Sequence, residues 1–186
     1  MRQLAGRSHA FAHNGSLRGL ASAPRLALQR FHPEGETDSE YAFCALLARL
    51  QALWPSAGAV PPLRARLQVI ADFAAELREL GPANFFYADG DALFAHGHQR
   101  LQPDGRIAAP GLQMLTRTCR DEREPLLASG LCVGCGYQQV TLLASVPLSN
   151  EPWQPLAEGE TLAVVGGQVV ARQGPGHAKT EFACYR

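Results

Sequence analysis

The sequence has no excess of charge of either sign and no long hydrophobic run. Its 17 lysines and arginines are balanced by 17 aspartates and glutamates, so it lacks the broad positive field that holds a phosphate backbone or an anionic membrane. No apolar run approaches the roughly 20 residues that span a bilayer, and the first residues, Met1–Arg7, lack the apolar stretch of a signal peptide. These absences predict a cytoplasmic protein with no nucleic-acid or membrane partner.

Cysteine is scarce as well. The five cysteines form an odd set without disulfide-framework spacing, which predicts no structural disulfides and fits a reducing compartment. Cys132 and Cys135 have the spacing of half a zinc site, and His96 and His98 are conceivable completing ligands. Two small residues around a glycine bend explain the pair better. We therefore predict no metal and no cofactor.

Two helices are indicated in the first half of the chain, whose 186 residues are enough for one hydrophobic core. Thr37–Glu40 fits a capping box ahead of a periodic apolar run, which predicts a helix that begins at Thr37 and ends by Pro55. A second helix is predicted from about Pro62 to Leu80, because apolar residues there share one side.

Strands are predicted before the helices and, mainly, after them. The run Ser8–His13 alternates and leads into Asn14–Gly15, a strong turn signal. Residues 173–186 have no periodicity, so we expect a poorly ordered tail. This order predicts an α+β fold, with the helices on one face of a largely antiparallel sheet. The other predicted strands are Asn84–Ala88, Ala92–His96, Gln113–Cys119, Val140–Val146, Thr161–Val165 and Gln168–Ala171.

Two segments stand in order on either side of a loop: Phe11–Leu17, with the sequence FAHNGSL, and Gly35–Phe43, with the sequence GETDSEYAF. Together they resemble the paired signatures of class II glutamine amidotransferases, in the branch of small, stand-alone predicted amidotransferases. The resemblance covers residues 7–171. It implies a four-layer αββα sandwich of the N-terminal-nucleophile hydrolase type, with a partial domain over residues 1–172 that is incomplete at its N-terminus. Later segments that carry the resemblance are Asn84–Phe86, Asp89–Gly90, Ala144–Leu148 and Glu151–Trp153.

The resemblance implies roles for three residues in the release of ammonia from L-glutamine. Attack on the side-chain amide creates an oxyanion that needs preorganised hydrogen-bond donors, and Asn14 and Gly15 resemble the family's oxyanion hole. For an isolated Asn-Gly pair, a plain hairpin turn is the alternative. Asp38 resembles the family residue that pairs with the substrate's α-ammonium group; helix capping alone is its alternative.

The family's nucleophile is a cysteine at the first residue, with its own α-amino group as base. Here Arg2 follows Met1, and an initiator methionine is normally removed only before a small residue. Cys44 lies on the first predicted helix, next to its apolar face, and no base is identifiable near the other cysteines. The family's arginine motif and histidine–proline segment are not found either. We therefore expect a truncated chain that lacks its nucleophile and is inactive as given.

Two further expectations concern the surroundings of this site. His13 is expected to support the loop rather than to take part in the chemistry. An alternative function is a non-catalytic interaction module derived from the amidotransferase fold. Missing strands would leave backbone edges and apolar surface uncovered, so a homodimer or a synthetase partner is expected.

Overall fold

The computed structural model describes residues 1–119, 126–128, 131–133, 138–174 and 177–182. It is an α+β structure with two α-helices, α1 (Asp38–Leu50) and α2 (Leu63–Arg78), among the described residues. The strands are β1 (Arg2–Leu4), β2 (Arg7–Gly15), β3 (Ala83–Ala88), β4 (Leu93–His96), β5 (Arg100–Leu101), β6 (Ile107–Ala108), β7 (Gln113–Cys119), β8 (Leu126–Ala128), β9 (Leu131–Val133), β10 (Gln138–Ala144), β11 (Gln154–Pro155), β12 (Thr161–Val165), β13 (Gln168–Gly174) and β14 (His177–Phe182).

The main sheet has seven strands in the order β1-β2-β3-β4-β12-β13-β14. Every neighbouring pair in it is antiparallel, which confirms the predicted antiparallel arrangement. A second sheet has the order β10-β7-β11, and the pairs β5-β6 and β8-β9 are short hairpins. The predicted hairpins β3-β4 and β12-β13 are both present.

The helices begin where the sequence indicates. The Thr37 hydroxyl accepts a hydrogen bond from the Glu40 backbone N–H at 3.2 Å, as the capping box predicts. The Glu40 carboxylate, however, accepts from the N–H groups of Glu34 and Gly35, so it fastens the preceding loop instead of closing the box. Helix α1 ends at Leu50, before Pro55, and α2 begins directly after Pro62. No helix among the described residues is long and apolar enough to cross a membrane.

The two helices cover one face of the main sheet and the second sheet covers the other. Alternation along β3 explains this, because Phe85 and Tyr87 belong to the core on the helix side, whereas Phe86 packs against the core between the sheets. The described residues therefore form three layers, in the order helices, main sheet and second sheet. The buried residues between the sheets are Ala95, Leu112, Met114, Leu156, Leu162 and Val164.

A buried ion pair fastens the β3-β4 turn to α2. Arg66 is 3% exposed and Asp89 is fully buried, and the Arg66 Nη1 donates to Asp89 Oδ2 at 2.6 Å. The Arg66 Nη2 donates to Asp91 Oδ2 at 2.7 Å. The other oxygen of Asp89 accepts from the backbone N–H groups of Asp91 and Ala92, so the carboxylate also shapes the turn.

One local sequence prediction differs from the structure. Asn14 and Gly15 are the last residues of strand β2, paired with Asn84 and Ala83, and are not a turn. The partner strand β3 continues the ladder through both residues, so tertiary pairing overrides the turn preference. Strand β13 runs to Gly174 and pairs with β14. Backbone pairing there does not depend on a hydrophobic pattern.

Candidate active site

Asn14 lies at the end of β2 with its side chain exposed. Its Nδ2 donates to the hydroxyl oxygen of Ser145, which follows strand β10, at 2.9 Å. An amide nitrogen carries two hydrogens, so the second remains for a ligand. The contact between Asn14 and Ser145 orients the amide group at the point where the main sheet and the second sheet meet.

Asn84 holds the backbone of Asn14 from behind. This side chain is buried, and its Nδ2 donates to the carbonyl oxygens of Asn14 at 3.1 Å and of Gln99 at 2.7 Å. Its Oδ1 accepts from the His98 N–H at 2.8 Å. The sequence analysis assigned no role to Asn84. Its place in a strand of aromatic residues was the available signal, because a buried amide needs hydrogen-bond partners.

Gly15 is required by close packing. An added Cβ would lie 1.8 Å from the Pro82 carbonyl oxygen and 2.8 Å from the His13 Nε2. A real Cβ cannot approach a backbone atom so closely, so the end of β2 tolerates only glycine without rearrangement.

Asp38 is the first residue of α1 and is half-buried. Its Oδ2 accepts from the backbone N–H of Leu17 at 2.8 Å, and its Oδ1 lies 3.3 Å from the Ser39 hydroxyl oxygen. The helix is capped by Thr37, so Asp38 is not needed as the cap. Its carboxylate instead ties the segment after Gly15 to the helix N-terminus, where the helix dipole favours negative charge.

His13 connects the end of β2 to the N-terminus of α1. Its Nδ1 lies 3.1 Å from the Ser39 Oγ and its Nε2 lies 3.3 Å from the Pro82 carbonyl oxygen. Burial lowers the pKa of His13, while the Pro82 carbonyl and the Asp38 charge oppose that shift. The contacts agree with the expectation that His13 supports the loop.

Three neighbouring cavities surround these residues. Asp38 borders an open pocket of about 350 Å³ together with Leu17 and Tyr41, whereas Asn14 borders a smaller one of about 110 Å³. A third pocket of about 520 Å³ is bordered by both His13 and Ser39. The structure therefore does not bring Asn14 and Asp38 into one cavity. Their neighbours in the sequence, His13 and Ser39, are in contact with each other.

The residues considered as nucleophiles or metal ligands lie elsewhere. Cys44 is buried in α1, and burial raises the pKa of its thiol. His96 is buried with its Nδ1 2.8 Å from the Thr161 hydroxyl, and burial lowers its pKa to about 3. The His98 Nε2 lies 3.5 Å from Glu158 Oε1. Within the described parts of the chain, no group of three metal-ligating side chains occurs. The structure does not describe the side chains of Cys119, Cys132, Cys135 and Cys184.

Comparison with known families identifies the chain. A family model described as "Glutamine amidotransferases class-II" matches residues 1–185. The chain belongs to this family. It is 34% identical over 176 residues to the Escherichia coli K12 protein named "Putative glutamine amidotransferase YafJ", covering 91% of this chain and 63% of that protein.

Solved structures of similar proteins agree with the fold. A structure from Pseudomonas aeruginosa PA01, titled as a predicted glutamine amidotransferase, is 31% identical with a TM-score of 0.71, over 91% of this chain and 62% of that one. A class-II domain protein from Silicibacter pomeroyi is 20% identical with a TM-score of 0.53, over 91% of this chain and 68% of that one, and supports the fold alone. The chain spans less than two thirds of the E. coli relative and of the P. aeruginosa structure.

Proposed function

We propose that this chain carries the oxyanion-stabilising and ammonium-binding part of a glutaminase site. The reaction is the hydrolysis of the L-glutamine side-chain amide, which releases ammonia. The observation that carries the proposal is the hydrogen bond from Leu17 N–H to Asp38 Oδ2 at 2.8 Å. It holds the helix N-terminus beside the strand end that bears Asn14 and Gly15.

The two residues proposed to hold the ends of the substrate are linked by a short stretch of chain. Leu17 is three residues beyond Asn14, and three residues span at most about 11 Å. Through its hydrogen bond with Leu17, Asp38 is held near the strand end that bears Asn14. Asp38 would accept hydrogen bonds from the α-ammonium group at one end of the substrate. The Asn14 Nδ2 and the Gly15 N–H would donate to the amide oxygen at the other end.

The chemistry assigns the remaining step to a thiolate. The thiol gives its proton to the base and its sulfur bonds to the amide carbon; the amide nitrogen takes up that proton as the C–N bond breaks, so that ammonia leaves and a thioester remains. Water then cleaves the thioester to give glutamate and the free thiol. In the family this nucleophile is a first-residue cysteine, and we propose that a segment outside these 186 residues supplies it. We also propose that such a segment completes the four-layer αββα sandwich. This chain by itself then binds glutamine without turning it over.

Replacing Asp38 tests the proposal directly. We expect Asp38→Asn to weaken L-glutamine binding by about 10- to 100-fold, because a charge-assisted hydrogen bond to the ammonium is lost. Asparagine retains an oxygen for the Leu17 N–H, so the local fold is kept. N-acetyl-L-glutamine, which has no ammonium group, should bind wild type weakly and Asp38→Asn equally weakly. Isothermal titration calorimetry measures all four affinities.

Asp72→Asn is the matched control, since Asp72 is an exposed carboxylate of α2 whose contact is Gln68. It should leave the glutamine affinity unchanged. Equal affinity of wild type for glutamine and its N-acetyl derivative would contradict the role of Asp38. If wild type binds neither compound, the non-catalytic interaction module becomes the better account of this chain.

A further inference from the structure

Three side chains next to the proposed site form a hydrogen-bonded series that the proposed reaction does not use. His13 at the end of β2 contacts Ser39, with 3.1 Å between Nδ1 and Oγ. Ser39 in turn contacts Asp38, with 3.3 Å between Oγ and Oδ1. The series therefore connects the oxyanion strand to the carboxylate proposed to bind the substrate ammonium.

The protons of this series can be assigned from its two ends. A backbone carbonyl only accepts hydrogen bonds, so the Nε2 of His13, which faces the Pro82 oxygen at 3.3 Å, carries a hydrogen. In the neutral imidazole the Nδ1 is then an acceptor, and its partner is the Ser39 hydroxyl. Because a hydroxyl has one hydrogen, Ser39 cannot donate to Nδ1 and to Asp38 Oδ1 together.

Protonation of His13 reverses the direction of donation. The imidazolium Nδ1 donates to the Ser39 oxygen, and the Ser39 hydrogen turns to Asp38 Oδ1. One acceptor of the carboxylate is then occupied by its own neighbour. In the neutral state the same oxygen is free to receive a hydrogen bond from a bound cation.

We propose that His13 is a positioning residue: its neutral Nδ1 takes the Ser39 hydroxyl hydrogen and so keeps Asp38 Oδ1 open for the substrate ammonium. The inference rests on the proposed function of Asp38. It adds a pH dependence to glutamine binding that the carboxylate alone does not have, since binding weakens as His13 gains its proton.

The charges around His13 set the pH range of this effect. Asp38 on α1 faces it and favours the protonated ring, but burial has the larger effect and places the pKa of His13 below 6.5. Across the 520 Å³ pocket lie Arg2, Glu34 and Glu40, and Arg2 pairs with Glu40 at 2.6 Å. The site should therefore be fully competent at neutral pH and lose affinity only at a more acidic pH than an ordinary histidine would set.

The first experiment needs no substrate. The ¹⁵N chemical shifts of the imidazole in the ligand-free chain of 186 residues report which nitrogen of His13 carries the hydrogen at neutral pH. We expect the tautomer with hydrogen on Nε2. A tautomer with hydrogen on Nδ1 would overturn the inference, and it would leave the proposed function of Asp38 intact.

The second experiment compares glutamine affinity over about pH 5 to 8 in wild type, Ser39→Ala and Ser8→Ala. Wild type and Ser39→Ala should bind alike at neutral pH. At the acid end wild type should bind about tenfold more weakly than Ser39→Ala, the size of one hydrogen bond to a charged group. Ser8→Ala, at an exposed position of β2 whose hydroxyl contacts Gln3, should follow wild type.

The imidazolium charge itself also repels an ammonium, but this repulsion is common to all three chains and cancels in the comparison. Equal acid weakening in wild type and Ser39→Ala would overturn the role of the Ser39 hydroxyl. Failure of all three chains to bind glutamine at neutral pH would instead refute the proposed function.

Discussion

Asn14→Ala is expected to lower kcat for glutamine hydrolysis by about 10²- to 10³-fold, the usual cost of removing one oxyanion-hole donor. The measurement needs a nucleophile, so it is made on a chimera in which all 186 residues follow a relative's N-terminal segment beginning with cysteine. KM should change little, because the donor acts on charge that develops only in the transition state. Release of ammonia, followed with a coupled glutamate dehydrogenase assay, gives both constants.

The surroundings of Asn14 make this effect specific to the amide. The side chain is exposed and its contact is the Ser145 hydroxyl, so its removal should not unfold the protein. Asn14→Asp keeps the size but replaces the donor with an acceptor, and it should be at least as inactive as alanine. Asn150→Ala, at another exposed asparagine, is the matched control and should retain full turnover. A kcat near the wild-type value in Asn14→Ala would remove Asn14 from the oxyanion hole.

The largest effect on stability is expected at Asp89. Asp89→Ala should lower the free energy of unfolding by about 3–5 kcal/mol, because the buried Arg66 guanidinium loses its buried carboxylate partner and keeps the half-exposed Asp91. It also removes the acceptor for the Asp91 and Ala92 backbone N–H groups that shapes the turn. Urea unfolding followed by circular dichroism measures the change.

Asp104→Ala is the matched control for Asp89. Asp104 likewise accepts from a backbone N–H two residues on and pairs with an arginine, Arg106, at 2.7 Å. That pair is on the surface, with side-chain exposures of 48% for Asp104 and 82% for Arg106, so solvent screens it and its loss should be hardly measurable. Comparable destabilisation by the two variants would show that burial does not decide the contribution of such a pair in this fold.

Local signals predicted most of the secondary structure. The cap at Thr37 is a contact within one helical turn, and it appears as predicted. The same holds for β7, because the alternating residues predicted both its first and its last residue correctly. The α+β class followed because each of these elements is encoded by residues close together in the sequence.

Distant pairing was the part that local signals missed. Asn14 and Gly15 carry a strong turn signal, yet they continue β2 because β3 lies alongside. The Asn14 amide is oriented by Ser145, 131 residues away in the sequence, and its backbone is held by Asn84, 70 residues away. No local pattern contains such contacts. The family resemblance pointed to Asn14 and Asp38, but it did not indicate the connection through His13 and Ser39.

We propose that L-glutamine binds between Asp38 and the end of β2. Two-dimensional ¹H–¹⁵N NMR of the labelled chain during titration with L-glutamine tests this proposal. We expect saturable shifts of the Asn14 side-chain amide and of the Gly15 and Leu17 backbone amides, with the Asn150 side chain unchanged. Shifts confined to other regions, or no saturable shift at all, would contradict it.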